Sequence, residues 1–239
     1  DSEVITVALI IDTYFHGNEE LGLSFLRQYH SELFPQLPSN GHFNERRTRL
    51  GPLIEQIRCW LTVQEGLLTT TDPVRLIDSA PIFVATYGRG GDNQTLTGHE
   101  YFGVASSHGA KVFGLRLDIT TSHDQVIDQW MLAPASYHDS TTMPALVEDQ
   151  NDLLLIGDGA YHNPTVEPVL HHHHQIDVLA PPRQDSRLYA WSKAAIQTVA
   201  RFRRPIESAF SVLATVFNIE HPQARSLHGL VSRIATRIL

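Results

Sequence analysis

Hydrophobic spacing divides the chain near residue 70. Before that point apolar positions recur at helical intervals. Val4, Ile5, Ala8, Leu9 and Ile11 mark a first helix that Gly17 ends, and a second runs from about Glu19 to Ser31. Pro35 and Pro38 punctuate a loop. Leu50, Leu53, Ile54, Ile57 and Leu61 predict a third helix over about 43–61, with Gly51-Pro52 kinking or splitting it. Residues 1–66 therefore read as a helical N-terminal region. Arg46, Arg47 and Arg49 make it a candidate DNA-binding module, against the plainer reading of a helical cap with solvated arginines.

After residue 73 the period shortens. Val74-Arg-Leu-Ile-Asp-Ser reads as a short buried strand that ends at Asp78. Lys111 to Thr120 alternates apolar and polar residues as a half-buried strand does, and Gln125 to Leu132 follows as a third strand. Asp139 is placed to cap a short helix. Asp152 to Ile156 is a continuous apolar run, expected of a strand buried on both faces, and leads into Gly157-Asp158-Gly159. A helix over 164–172, a strand over 176–180, a long helix from near Ala190 past Glu207 to about Phe217, and a last helix from Leu227 complete the pattern. The polar, Gly-rich stretch over 86–107 fits as an inserted loop with a short strand at 101–105. Three strands, helix, strand, helix, strand, long helix is the order of an α/β, RNase H-like mixed sheet flanked by helices, here over 73–239. In that arrangement the first and fourth strands are neighbours.

Composition narrows the setting. Cys59 is the only cysteine, so no internal disulfide can form, and a reducing cytoplasmic location is expected. No run approaches the roughly 20 apolar residues of a membrane span. The net charge of −8 argues against nucleic acid at first sight. Residues 183–239, however, hold nine Lys and Arg against three acids, which leaves room for a phosphate-facing C-terminal surface.

Three carboxylates stand out. Asp78 sits where one buried strand emerges and Asp158 follows another. Glu207 lies on the long helix within Arg203-Arg-Pro-Ile-Glu-Ser-Ala-Phe. If the first and fourth strands are neighbours, Asp78 and Asp158 meet and the helix can lay Glu207 over them. Mg²⁺ takes a few carboxylates plus water, and two ions can serve phosphodiester chemistry. Taken singly, each acid has a plain structural reading: Asp78 as a turn cap, Asp158 as a turn residue, and Glu207 as a solvated acid paired with Arg203 four residues earlier.

Leu76-Ile-Asp-Ser-Ala-Pro-Ile, Phe113-Gly-Leu-Arg-Leu, Leu132-Ala-Pro-Ala-Ser-Tyr-His-Asp-Ser, Gly157-Asp-Gly-Ala-Tyr and Arg203-Arg-Pro-Ile-Glu-Ser-Ala-Phe-Ser resemble, in order, the motifs of prokaryotic insertion-sequence DDE transposases, particularly the IS nine-eighty-two group. Phe34-Pro-Gln-Leu-Pro and Phe43-Asn-Glu-Arg-Arg resemble that family's N-terminal region, so the likeness covers nearly the whole chain. The resemblance implies a catalytic, metal-binding triad of Asp78, Asp158 and Glu207 with two Mg²⁺ or Mn²⁺ ions. It implies cleavage at transposon ends followed by strand transfer into target DNA, by a homodimer on DNA in the prokaryotic, nucleoid-associated cytoplasm. Arg201, Arg203 and Arg204 would then neutralise DNA phosphates. The chain departs from the pattern at Ala200 and Ala214, where relatives often carry tyrosine and lysine, and full-length relatives carry a further N-terminal stretch. Competing readings are a DNA-binding transposase relic without catalysis and an RNase H-like metal-dependent nuclease.

Other conspicuous residues carry plainer expectations. Four consecutive histidines, His171 to His174, point in different directions on a helix and cannot share one metal. Gly88-Arg-Gly-Gly lacks the Lys-Ser/Thr of a phosphate loop. Trp60, Trp130 and Trp191 read as core or interface residues. His138-Asp139 reads as a cap rather than an acid–base pair.

Overall fold

A computed structural model describes residues 1–64, 66–68, 72–105, 109–182 and 191–239. The expected start of the long helix near Ala190, and Arg183 and Arg187 of the basic stretch, lie outside them.

Six strands form one mixed sheet: β1 (Val74–Ala85), β2 (Phe102–Val104), β3 (Lys111–Thr121), β4 (Ile127–Pro134), β5 (Leu154–Ile156) and β6 (Asp177–Leu179). β1 and β3 pair antiparallel in the centre. β2 and β4 share the outer edge of β3, and β5 and β6 add in parallel on the far side of β1. An antiparallel meander continued by two parallel crossovers is the RNase H-like topology that the element order predicts.

Alternation along β1 and β3 sends two sets of side chains to opposite faces. Leu76, Ile82, Leu115, Leu117 and Ile119 pack against Val199, Ile206 and Leu213 of α7 (Lys193–Thr215) and Leu230, Ile234 and Ile238 of α8 (Leu227–Ile238). On the other face Ile77 and Leu155 pack against Met143 and Leu146 of α5 (Asp139–Leu146) and Leu170 of α6 (Glu167–His174).

The strand that carries Asp78 is longer than its hydrophobic pattern suggests. β1 continues through Pro81 to Ala85 instead of ending at the carboxylate. A mid-strand proline is tolerated where its missing N–H faces no partner strand. β5 accompanies β1 only from Val74 to Leu76, so beyond that point this side of β1 is an open edge. The N–H of Phe83, two residues after Pro81 and directed to the same side, donates to the Glu220 carbonyl at 2.7 Å.

The N-terminal region forms α1 (Ser2–Tyr14), α2 (Glu19–Tyr29), α3 (Asn40–Arg49) and α4 (Gly51–Gln64). The expected third helix is thus split at Leu50. These helices share a core of Val4, Val7, Ile11, Leu23, Phe43 and Ile54, and α8 closes it with Ala235. α8 therefore belongs to both cores. Charges are buried at this seam. Arg47 pairs with Asp12 and, at 3.1 Å, with Glu19, and Arg233 pairs with Glu19 at 2.8 Å. Arg237 lies 3.5 Å from Asp12. A second tie comes from α4, where Arg58 donates to the carbonyls of Ile127 and Asp128 and Glu55 accepts from the Trp130 indole at 3.0 Å.

This packing changes the reading of the N-terminal basic cluster. Arg47 is fully buried and structural, while Arg46 and Arg49 remain outside, each paired with an acid. Trp60 is 54% exposed, so it is not a core residue, whereas Trp130 and Trp191 pack against the cores.

Candidate active site

The last parallel pair between β1 and β5 is Leu76 with Ile156. Two residues further along each strand stand Asp78 and Asp158, so strand register alone sets the two carboxylates side by side. Asp78 shares the face of Leu76 and points toward α7. That helix carries Arg203 and, one turn later, Glu207. Asp78, Asp158, Arg203 and Glu207 all line one cavity of about 350 Å³. The three acids singled out from the sequence are therefore brought together, from a strand, a strand end and a helix.

Each is held differently. Asp78 accepts from the Ser79 N–H at 2.9 Å through Oδ1 and from Arg203 Nη2 at 2.8 Å through Oδ2. Burial pushes its carboxyl up to about 6; Arg203 and the Ser79 amide oppose this, while the charges of Asp158 and Asp139 add to it. Asp158 accepts from the Ala160 N–H at 2.8 Å. Glu207 is exposed on α7, and Pro205, inside that helix, leaves the Arg201 carbonyl without its helical donor. Among the described residues no three His, Cys, Asp or Glu side chains converge as a ready cage for one ion.

Arg203 is placed otherwise than expected. It is buried and paired with Asp78, not turned to solvent or to Glu207. Arg201 and Arg204 are exposed on the same helix. Three of the nine basic residues counted over 183–239, Arg203, Arg233 and Arg237, are buried in ion pairs, so much of the C-terminal charge is structural.

The glycines flanking Asp158 also have a packing role. A Cβ on Gly157 would stand 3.0 Å from the side chains of Ile77 and Tyr161, and one on Gly159 would stand 3.0 Å from the Pro181 carbonyl. Close packing of the strand end, rather than room for a ligand, accounts for Gly157.

On the sheet face opposite Asp78 lies a polar cluster that the sequence did not single out. Asp139 is not the helix cap; His138 is, accepting from the Ser140 N–H at 3.3 Å. Asp139 instead accepts from Arg116 and from the Ser79 hydroxyl, both at 2.6 Å. Asp118 is buried beside them with neither oxygen hydrogen-bonded, since the nearby Thr142 hydroxyl donates to the Asp139 carbonyl. Burial pushes the Asp118 carboxyl up to about 7; the Asp139 charge raises it further and Arg116 opposes. The Tyr161 hydroxyl is buried and unpartnered, and burial raises it too. The only sequence signal was an aspartate, Asp118, and an arginine, Arg116, on the same alternating face of an otherwise apolar strand.

His171 contacts Asp177 at 2.9 Å, and the His172 and His173 rings lie 4.8 Å apart. No helix among the described residues is long and apolar enough to cross a membrane.

Fold and site together define an RNase H-like domain with an acidic cavity at the end of its central strands. A family model described as the transposase DDE domain matches residues 69–239, and the chain belongs to that family. The match does not distinguish the IS nine-eighty-two group. No curated protein matches. A solved structure, the Mos1 transposase paired-end complex with left transposon end, is 11% identical with a TM-score of 0.27 and covers 76% of this chain. The chain spans 65% of that one's length.

Proposed function

We propose that this chain is the catalytic portion of a DNA transposase that cleaves phosphodiesters at the ends of a mobile element and joins the freed ends to target DNA. The observation that carries the reading is the convergence of Asp78, Asp158 and Glu207 on one cavity within a transposase DDE domain.

The donor set suits a hard divalent ion. All three candidates are carboxylates, and a guanidinium already sits on Asp78 as a cation. Mg²⁺ keeps several waters and uses few protein ligands, so an open arrangement fits it better than a closed cage would. Asp78 and Asp158 would hold the ions, with Glu207 completing the set; bound there, they would supply Lewis-acid stabilisation of charge on the phosphoryl oxygens. The chain's own residues do the rest. The Ser79 amide and Arg203 fix the orientation of Asp78. The Ala160 amide orients Asp158. Arg201 and Arg204 are exposed on the helix that carries Glu207 and would neutralise phosphates of the bound strand. The expected ion count of two, the homodimer on DNA and the nucleoid setting rest on the family resemblance.

A nicking assay on labelled DNA with candidate terminal repeats tests the proposal. Cleavage is expected with Mg²⁺ or Mn²⁺, lost with EDTA, and lost in Asp158→Asn with DNA binding near the parent level. Joined products would mark a transposase rather than a nuclease. A second reading, a DNA-binding relic, is favoured by the Asp78–Arg203 ion pair, which already engages Oδ2 of that carboxylate. It predicts binding without nicking under every metal condition.

A further inference from the structure

The cavity of the three carboxylates adjoins a second, of about 650 Å³, with which it shares lining residues. Val104, Arg116, Ala135 and Asp158 line both, so Arg116 and Asp158 stand at the join. The second cavity runs from there past Phe102, Tyr137, His138 and Gly159. Among the described residues Arg116 is the only Lys or Arg that lines it.

Arg116 is held unlike a solvated surface arginine. It rises from β3 with its side chain 13% exposed, and a single N–H, from Nη1, is engaged by the buried Asp139 at 2.6 Å. The Ser79 hydroxyl donates to the same Asp139 oxygen, which fixes the carboxylate from the other side. Ser79 directly follows Asp78, so this brace is built onto the strand that carries the site. Among the described residues the other guanidinium donors of Arg116, Nε and Nη2, have no hydrogen-bond partner and are not fully buried, and the residue lines both cavities. A guanidinium with one donor pinned and its remaining donors open is pre-organised for a planar, multi-donor contact with an anion.

We propose that Arg116 is a phosphate-binding residue: braced by Asp139, it grips a backbone phosphate of the DNA strand where that strand passes from the carboxylate cavity into the second one. This rests on the DNA reading above. It sets a cation beside Asp158, where the two cavities share their lining.

The test measures DNA binding in EDTA, so that neither metal loading nor cleavage enters. A mixed-sequence duplex and its single strand are titrated with wild type, Arg116→Gln and Arg116→Lys over a range of salt, with thermal unfolding recorded for each protein. Losing one phosphate contact lowers the slope of log affinity against log salt by about 0.9 on duplex and about 0.7 on single strand. Arg116→Gln is expected to show that fall, with affinity reduced by about tenfold, the scale of one charge-assisted hydrogen-bonded contact. Arg116→Lys keeps a cation for Asp139 and decides the matter should the Gln variant fail to fold. Its ammonium cannot serve Asp139 and a phosphate with a planar fork, so it is expected to bind several-fold more weakly. Wild-type slope and affinity in the folded variants would overturn the assignment while leaving the DNA reading intact. Absence of salt-dependent binding by the wild type itself would remove the DNA reading, and the assignment with it.

Discussion

At the scale of single residues, the polar cluster behind β1 is where charge and burial conflict most. Asp118 is fully buried, has no hydrogen-bond partner, and has its carboxyl pushed up to about 7. Between pH 3.8 and about 7 the folded chain keeps a proton that the unfolded chain has released, so stability falls as pH rises through that window. Above it the ionised group costs its full amount; below pH 3.8 it costs nothing. Asp118→Asn removes the charge at nearly constant shape. We expect the variant to match the parent near pH 4 and to exceed it at pH 8, by roughly 1.4 kcal/mol for each unit by which burial has raised the carboxyl. Denaturant unfolding at the two pH values measures the difference. A variant no more stable than the parent at pH 8 would mean that Asp118 is solvated or paired in solution.

Elements explain why the site was partly legible in the chain. Asp78, Asp158 and Glu207 could be found because two apolar strands and one long amphipathic helix announce themselves, and each acid sits at a fixed offset from one of them. Arg116, Asp118 and Asp139 could not. Their association depends on the pairing of β3 with β1, which sets Asp118 opposite Ser79 and Arg116 opposite Pro81, and on where α5 docks. No local pattern encodes either. The length of β1 was hidden for a related reason: its continuation through Pro81 depends on β5 stopping at Ile156 and leaving that edge open. Asp139 misled because an aspartate before Ser-Thr-Thr is a good cap by propensity, yet the half-buried Arg116 offers it a stronger partner.

The strand end at Gly157 gives a test at the same scale. Ile77 and Tyr161, which a new Cβ would press at 3.0 Å, are both fully buried and cannot give way freely. Gly157→Ala is therefore expected to destabilise the fold by about 1–3 kcal/mol, the usual cost of overpacking. It should also lower cleavage by more than it lowers DNA binding, because Asp158 is the next residue. Thermal unfolding and parallel cleavage and binding assays separate the two effects. Unchanged stability would show that the strand end is looser than its packing implies.

On the scale of the whole molecule, the division into a helical N-terminal region and an RNase H-like domain is a division of sequence more than of structure. α8, the last element of the chain, supplies Ile234 to the sheet core and Ala235 to the N-terminal core. Around it Asp12, Glu19, Arg47, Arg233 and Arg237 form one buried network. Burial pushes Arg237 down to about 10, with Arg47 and Arg233 adding to the effect and Asp12 opposing it. Two arginines depend on Asp12, which is itself fully buried. Asp12→Ala would leave Arg237 without its acidic partner and Arg47 with Glu19 alone, and breaking a buried pair from one side costs about 3–5 kcal/mol. Because the network spans both cores, the loss is expected to fall on the molecule as a unit. Calorimetry should show a single transition in the parent and a single, lower one in the variant. Two resolved transitions, with only the N-terminal one lowered, would show instead that the halves unfold independently.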